Sequence, residues 1–354
     1  MSLFGLLKGA VTFKDLHCWM QYNEHNELFK KLFKRTEIKI PSLSTLHNLL
    51  MNTDNNELEV VFRDYFAPYV ELNNISIDGK WLRGSDVNGQ YTEESHKSIL
   101  NILDKDIKIV VGHKFLAKGK LSEIPATKEI LKDNFFTKES QIFSFDALLT
   151  QVDILNDINK TGRRYIAKVK GNQEGLKDKA KKTINIFQAP TDSYKPKTFT
   201  IEGNKIVKRV VDIYEDKNCN LVMFHSDFNN IQTIVRVKKE ITNEKTGEVT
   251  TTTQYLVANF KTTADNFHDL ILHHWRIETY HYHLDMLTKE DDHIAYVNPF
   301  SISILRSFAV NLYQLYLNAH KGEKILKAKI TMAEIKRSCQ HSDDFTSNIF
   351  ESES

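Results

Sequence analysis

The stretch from Asn74 to Ser85 reads NISIDGKWLRGS and constrains the fold more than any other part of the chain. Ile75 and Ile77 alternate with Ser76, the period of a β-strand. The run closes on Asp78, and Gly79, Lys80 and Arg83 follow at once. A carboxylate at the end of an apolar strand is costly to bury alone, so it calls for a cation, a hydrogen-bond donor or a metal ion. The plainer alternative is that Asp78 caps the turn that follows, with Gly79 as the turn residue. Residues Gln141 to Thr150, QIFSFDALLT, repeat the design and deliver Asp146. Two strands that each present one aspartate at the same end can build a shared site.

A chain of 354 residues suits one large domain with an appendage, or two domains. Its formal net charge of +2 is too small to announce a nucleic-acid partner, so any basic patch must be local. Cys18, Cys219 and Cys339 stand far apart, without the spacing of a disulfide framework or a cysteine zinc site, which fits a reducing compartment. The N-terminal MSLFGLLKGAVTFK lacks a basic leader region and a small-residue cleavage site. No apolar run is long enough to span a membrane. A soluble, cytoplasmic protein without a membrane partner is expected.

The chain divides by pattern. Residues 1–70 read as helical: Thr12 and Asp15 have the spacing of a capping box, and Pro41-Ser42 open a segment with Leu43, Leu46, Leu49 and Leu50 on one face. The other face of that segment, Ser44, Thr45, His47 and Asn48, reads either as a recognition surface for DNA or as a solvated face. Residues 71–190 run strand, strand, strand, helix, strand, helix, strand, a mixed α/β sheet. Residues 191–260 are threonine-rich and β-rich, with KTGEV as a hairpin turn. Residues 261–337 return to helix, and one long helix is expected from Ala264 through Leu287. Its apolar stripe includes Ile277, so Glu278 is expected at the edge of that stripe, facing protein or a cleft. Residues 338–354 form a polar tail expected to be disordered.

Three constellations carry chemistry. Asp78, Asp146 and Glu278 supply only hard oxygen ligands, a set that prefers Mg²⁺ or Mn²⁺. Two such ions about 3.5–4 Å apart can activate the attacking oxygen and stabilise the leaving one in a phosphodiester displacement. The second is basic: nine lysines and arginines fall between Lys160 and Lys182, Lys168 among them, and Lys170, Asn172 and Gln173 follow a strand, as a phosphate-binding edge would. The lysines after Leu176 read as a solvated helix face. The third is histidine-rich: His273, His274, His281 and His283 flank Glu278. Glu278 and His281 have the E-x-x-H spacing of helical di-metal sites, but no second such motif accompanies them. Packing and hydrogen bonding are the first reading for these histidines, with contact to DNA phosphate the second.

Taken in order, ISIDGKWLRGS, GKLSEIPATKEIL, FSFDALLTQ, YIAKVKGNQEGL and HHWRIETYHYHLDMLTKEDD resemble the H-repeat-associated branch of the DDE insertion-sequence transposases. The N-terminal GAVTFKDLHCWM and IPSLSTLHNLL also resemble the helical region that precedes the catalytic domain in that family. The resemblance implies a ribonuclease-H-like fold with a β-rich insertion before the last catalytic helix. It implies that Asp78, Asp146 and Glu278 bind two Mg²⁺ or Mn²⁺ ions. It implies a transposase that cuts double-stranded DNA at its element's ends and transfers the 3′-hydroxyl to target DNA, working in the nucleoid as at least a dimer. Lys80, Arg83, Lys170, Asn172, Gln173 and His274 are the residues expected to position DNA. The match departs from the family at Thr279, where asparagine is usual, at SEIP in place of NEIP, and by one residue fewer between Glu278 and Asp285. The chain also begins part-way into the family's helical region, so part of a DNA-end-binding segment is expected to be missing. A metal-dependent nuclease without strand transfer and a truncated, inactive DNA-binding copy are the competing readings.

Overall fold

The computed structural model describes residues 1–85, 97–116, 122–136, 138–171, 174–196, 199–202, 204–215, 228, 230–292, 298–322, 324–325 and 328–351. In chain order the helical N-terminal stretch holds α1 (Ser2–Leu7), α2 (Phe13–Tyr22), α3 (Glu27–Leu32), α4 (Leu43–Met51) and α5 (Asn55–Phe66). The expected capping box is present: the Asp15 amide donates to Thr12 Oγ1 at 3.1 Å and the Thr12 amide to Asp15 Oδ2 at 2.9 Å. Ser42 caps α4 and Asp54 caps α5 through their side-chain oxygens. Then follow β1 (Asn74–Leu82), β2 (Lys97–Asp104), β3 (Ile109–Leu116), α6 (Glu123–Ile130), β4 (Ile142–Phe145), α7 (Val152–Lys160), β5 (Arg164–Val169) and α8 (Glu174–Phe187). The order of strands and helices from β1 to β5 is the one expected. The β-rich block is β6 (Asp192–Tyr194), β7 (Thr200–Glu202), β8 (Lys205–Glu215), β9 (Thr233–Asn243) and β10 (Val249–Ala258), all antiparallel neighbours. Gly247 turns the β9–β10 hairpin at a φ of +70°. The chain ends in α9 (Ala264–His274), α10 (Arg276–Thr288), α11 (Pro299–Ala319), α12 (Met332–His341) and α13 (Asp343–Glu351).

Two of these helices correct the sequence reading. The single helix expected from Ala264 breaks at Trp275, whose amide donates back to Leu272 and closes α9. The break resets the phase of α10, which buries Ile277, Tyr280, Leu284, Leu287 and Thr288 at helical spacing. Glu278 is therefore exposed. The tail expected to be disordered forms α12 and α13, because Ile335, Cys339, Thr346 and Ile349 are spaced to bury together. Asp343, at the start of α13, takes Lys8 Nζ at 2.6 Å and Asn26 Nδ2 at 3.0 Å.

The contacts divide the chain into two compact units. The first is Met1–Glu71, Gly79–Ser122 and Ile277–Ser354. Its centre is α11, buried along most of its length and packed against α1, α4, α5, β3, α12 and α13. Phe62 and Phe66 of α5 close on Phe308 at 5.6 and 4.8 Å between ring centroids. In this unit the later part of β1 is followed in strand order by β2 and β3, and β2 and β3 are antiparallel.

The second unit is Leu72–Asp78 with Glu123–Arg276. Its strands run in the order β1-β4-β5-β10-β9-β8-β6, with β7 pairing β8. The pairs β1–β4 and β4–β5 are parallel and the rest antiparallel. One face of this sheet is covered by α9: Ala264, Phe267 and Ile271 pack on Ile166, Val211, Ile213, Val235, Val237 and Leu256. That burial fixes which face each strand presents, because a slip of one residue would turn these side chains outward.

Candidate active site

Register decides what meets on the covered face. In β1 and β4, Asn74, Ile75 and Ser76 lie beside Ile142, Phe143 and Ser144. The paired register ends there, and Asp78 and Asp146 each follow two residues after the last paired serine. In β4 and β5, Ser144 and Phe145 lie beside Ile166 and Ala167, and just beyond them Lys168 Nζ comes to 3.5 Å from Asp146 Oδ1. Side chains two apart on a strand share a face. Ser76, Ser144 and Ile166 therefore make one row. The second unit holds both expected aspartates, and it places Lys168 beside Asp146.

The row is held rigidly. Thr150, fully buried, donates its hydroxyl between the main-chain oxygens of Asp146 at 3.1 Å and Lys168 at 2.8 Å. Ser76 and Ser144 share a hydrogen bond of 2.7 Å, and His274 Nδ1 stands 3.0 Å from Ser144 Oγ and 3.5 Å from Ser76 Oγ. His274, expected to touch DNA, is engaged under α9 with this serine pair. A small cavity lies over the row, lined by Ser144, Lys168, Gln254, Leu256, His274 and Trp275 among others.

Asp146 is ionised by its surroundings. Burial opposes its charge, but the Ala147 amide and the ammonium groups of Lys168 and Lys170 outweigh burial and hold its carboxyl below the usual range. Lys168 Nζ is 3.5 Å from Oδ1 and Lys170 Nζ is 3.2 Å from Oδ2. Asp146 Oδ1 is buried and accepts no hydrogen bond. A buried carboxylate oxygen that accepts no hydrogen bond is a hard-oxygen ligand of the kind a Mg²⁺ or Mn²⁺ ion takes. Asp146 fits such an ion. Among the described residues no three His, Cys, Asp or Glu side chains gather as a metal cluster. Glu278 lies in the first turn of α10, in the other unit, with its side chain exposed.

The remaining expected residues part company. Lys80 does not face a DNA-binding surface: it is buried, with Nζ 2.7 Å from Asp285, 3.1 Å from Asp291 and 4.0 Å from Glu290. Burial opposes its charge, but Glu290, Asp285 and Asp291 together hold the ammonium pKa above its ordinary value. The physical reason is pairing: these carboxylates, Glu290 fully buried among them, need a cation, and Lys80 is the one β1 supplies. Beside it, burial and then the Lys80 charge push His281 down to about 3. The neutral ring meets Asn101 Nδ2 at 2.9 Å through Nε2. Arg83 is exposed, 3.8 Å from Asp291. Lys170 is exposed past the end of β5. Asn172 and Gln173 lie outside the described residues. The carboxylates around Lys80 and the place of Lys168 escaped the sequence reading. Lys168 carried a signal, since RYIAKVK repeats the strand alternation that brought out Asp78.

No family model matches the chain. It is similar to curated proteins of Escherichia coli along most of its length. It is 25% identical over 341 residues to the H repeat-associated putative transposase YhhI of strain K12, covering 93% of this chain and 85% of that one. It is 24% identical to the putative protein YbfL of strain K12 with the same coverage. It is 26% identical over 311 residues to the putative transposase YncI of strain O157:H7, covering 83% of this chain and 76% of that one. The likeness to H-repeat-associated transposases that five short motifs carried thus extends along nearly the whole chain. Among solved structures, a piggyBac transposase synaptic complex with hairpin DNA is similar at a TM-score of 0.46 and 11% identity, over 99% of this chain and 71% of that one.

Proposed function

We propose that the chain is a DNA transposase whose chemical centre is the Asp78–Asp146 pair. The observation that supports the reading is the buried Asp146 Oδ1 that accepts no hydrogen bond, at the end of the strand that pairs in parallel with the one carrying Asp78. The similarity to proteins named as putative transposases supports the class, and the substrate of the reading is double-stranded DNA, first the element's ends and then a target. The mixed sheet, with a β-rich block between β5 and α10, supports a ribonuclease-H-like fold for the catalytic core. The helical region 1–70 is assigned to binding the element's ends.

Asp78 and Asp146 would hold Mg²⁺ or Mn²⁺, two ions in the full site, with Glu278 as the third ligand. Bound there, the ions would supply charge stabilisation at the phosphodiester and a more acidic attacking water or 3′-hydroxyl. The chain's own residues do the rest. Thr150 fixes the main chain beneath Asp146, so the carboxylate keeps its place without reorganisation. Lys170 and Arg83, both exposed, meet backbone phosphates. Lys80 holds the Asp285–Asp291 segment against β1 and does not touch substrate. Joining two DNA ends in one event calls for two copies of the chain, and work on chromosomal DNA places it at the nucleoid.

A plasmid carrying the DNA that flanks the gene tests the reading, incubated with Mg²⁺ or Mn²⁺ and either the wild type or Asp146→Asn. Metal-dependent nicks at defined flanking positions, followed by joined products and both lost in the variant, are expected. Nicks without joined products would favour a nuclease on the same fold. Equal cutting by both proteins would remove Asp146 from the chemistry.

A further inference from the structure

Beside Asp146 lies a cation where an ion-binding site would be expected to hold only oxygen. Lys168 follows directly on the last residue of β5 paired with β4, and the main-chain oxygens of Lys168 and Asp146 share the buried Thr150 hydroxyl, so their juxtaposition is built in. Its side chain is 22% exposed and lines the cavity against Leu256 and Trp275. Its ammonium lies 3.5 Å from Asp146 Oδ1, the oxygen that accepts no hydrogen bond. Lys170, on the other oxygen, is 53% exposed, so water and salt screen it far more.

We propose that Lys168 guards the ion site: it is the counter-ion of Asp146 in the DNA-free protein and passes to a backbone phosphate when DNA arrives. The inference rests on the reading of Asp78 and Asp146 as ion ligands. An ammonium and a divalent cation compete for one carboxylate oxygen, because each raises the electrostatic cost of the other. A backbone phosphate offers Lys168 a second anion, which frees Asp146 Oδ1 for the ion. DNA then tightens ion binding, and by reciprocity the ion tightens DNA binding. The centre is thereby loaded chiefly when substrate is present, which restrains cutting of other phosphodiesters.

Mn²⁺ binding, counted from free Mn²⁺ by electron paramagnetic resonance, tests this without reading activity. The proteins are the full chain as wild type, Lys168→Met, Lys168→Arg and Asp146→Asn, each alone and with a duplex bearing the gene's flanking sequence. Lys168→Met should bind Mn²⁺ roughly three- to tenfold more tightly than wild type without DNA, the range expected for one partly screened charge. The factor by which DNA tightens Mn²⁺ binding should fall by the same amount in that variant. Lys168→Arg keeps the charge and should behave as wild type, which separates charge from packing. Lys168→Met binding no more tightly than wild type, or Lys168→Arg binding as tightly as Lys168→Met, would overturn the guard. Asp146→Asn should lose Mn²⁺ binding; if it binds as wild type does, the ion-site reading itself falls, a failure distinct from that of the guard.

Discussion

Lys80, on the strand that carries Asp78, and Lys168, on the strand beside Asp146, have surroundings that give them opposite work. Lys80 is buried among Asp285, Glu290 and Asp291, and its ammonium is the cation those carboxylates need. Lys80→Met should cost about 3–5 kcal/mol of stability, because it removes the cation that Asp285, Asp291 and the buried Glu290 share. Denaturant unfolding of the two proteins measures this, and an unchanged midpoint would contradict it. His281 gives a second, pH-dependent test. Its folded value of about 3 lies below the ordinary 6.5. Between those values the unfolded chain binds a proton that the folded protein does not, so stability is lost as pH falls from about 6.5. His281→Asn should lose about 1–2 kcal/mol less than wild type between pH 7 and pH 5. An equal loss in both would show that the ring takes its proton without unfolding.

At the scale of elements, alternation is the readable signal and helix phase is not. Ile75, Ser76, Ile77 and Asp78 announce a strand and its face, and QIFSFD does the same, so the succession of strands and helices along the chain from β1 to β5 is legible in the residues alone. The break at Trp275 is hidden, because the apolar residues on either side of it fit one stripe; only the closing of α9 on itself shows that α10 restarts in another phase. That is why Glu278 was expected to face inward and is exposed. The tail misled through composition: few apolar residues sit among QHSDD and ESES, but Ile335, Cys339 and Ile349 are spaced to be buried. Lys80 misled because a lysine after a strand reads equally as a phosphate ligand and as a counter-ion, and its partners lie more than 200 positions on in the sequence. The hairpin turn is both legible and exposed to test. Gly247 has a φ of +70°, and Gly247→Val should cost about 1–2 kcal/mol, read as a lower thermal midpoint. An unchanged midpoint would mean that the hairpin tip rearranges without loss.

At the scale of the whole molecule, a chain without a strong net charge handles DNA only if its charges are placed locally. Arg83 and Lys170 are exposed cations of that kind. No helix among the described residues is long and apolar enough to cross a membrane. The claim on which the function depends is that Asp78 and Asp146 hold a divalent ion together. Fe²⁺ can replace Mg²⁺ at oxygen ligands, and with ascorbate and peroxide it generates radicals that cut the polypeptide beside the ion. Fragment ends mapped by mass spectrometry should fall near residue 78 and near residue 146 in the same sample, fade with excess Mg²⁺, and be missing from Asp146→Asn. Cuts concentrated around residues 285–291, or cuts that persist in Asp146→Asn, would place the ion elsewhere and contradict the assignment of the centre.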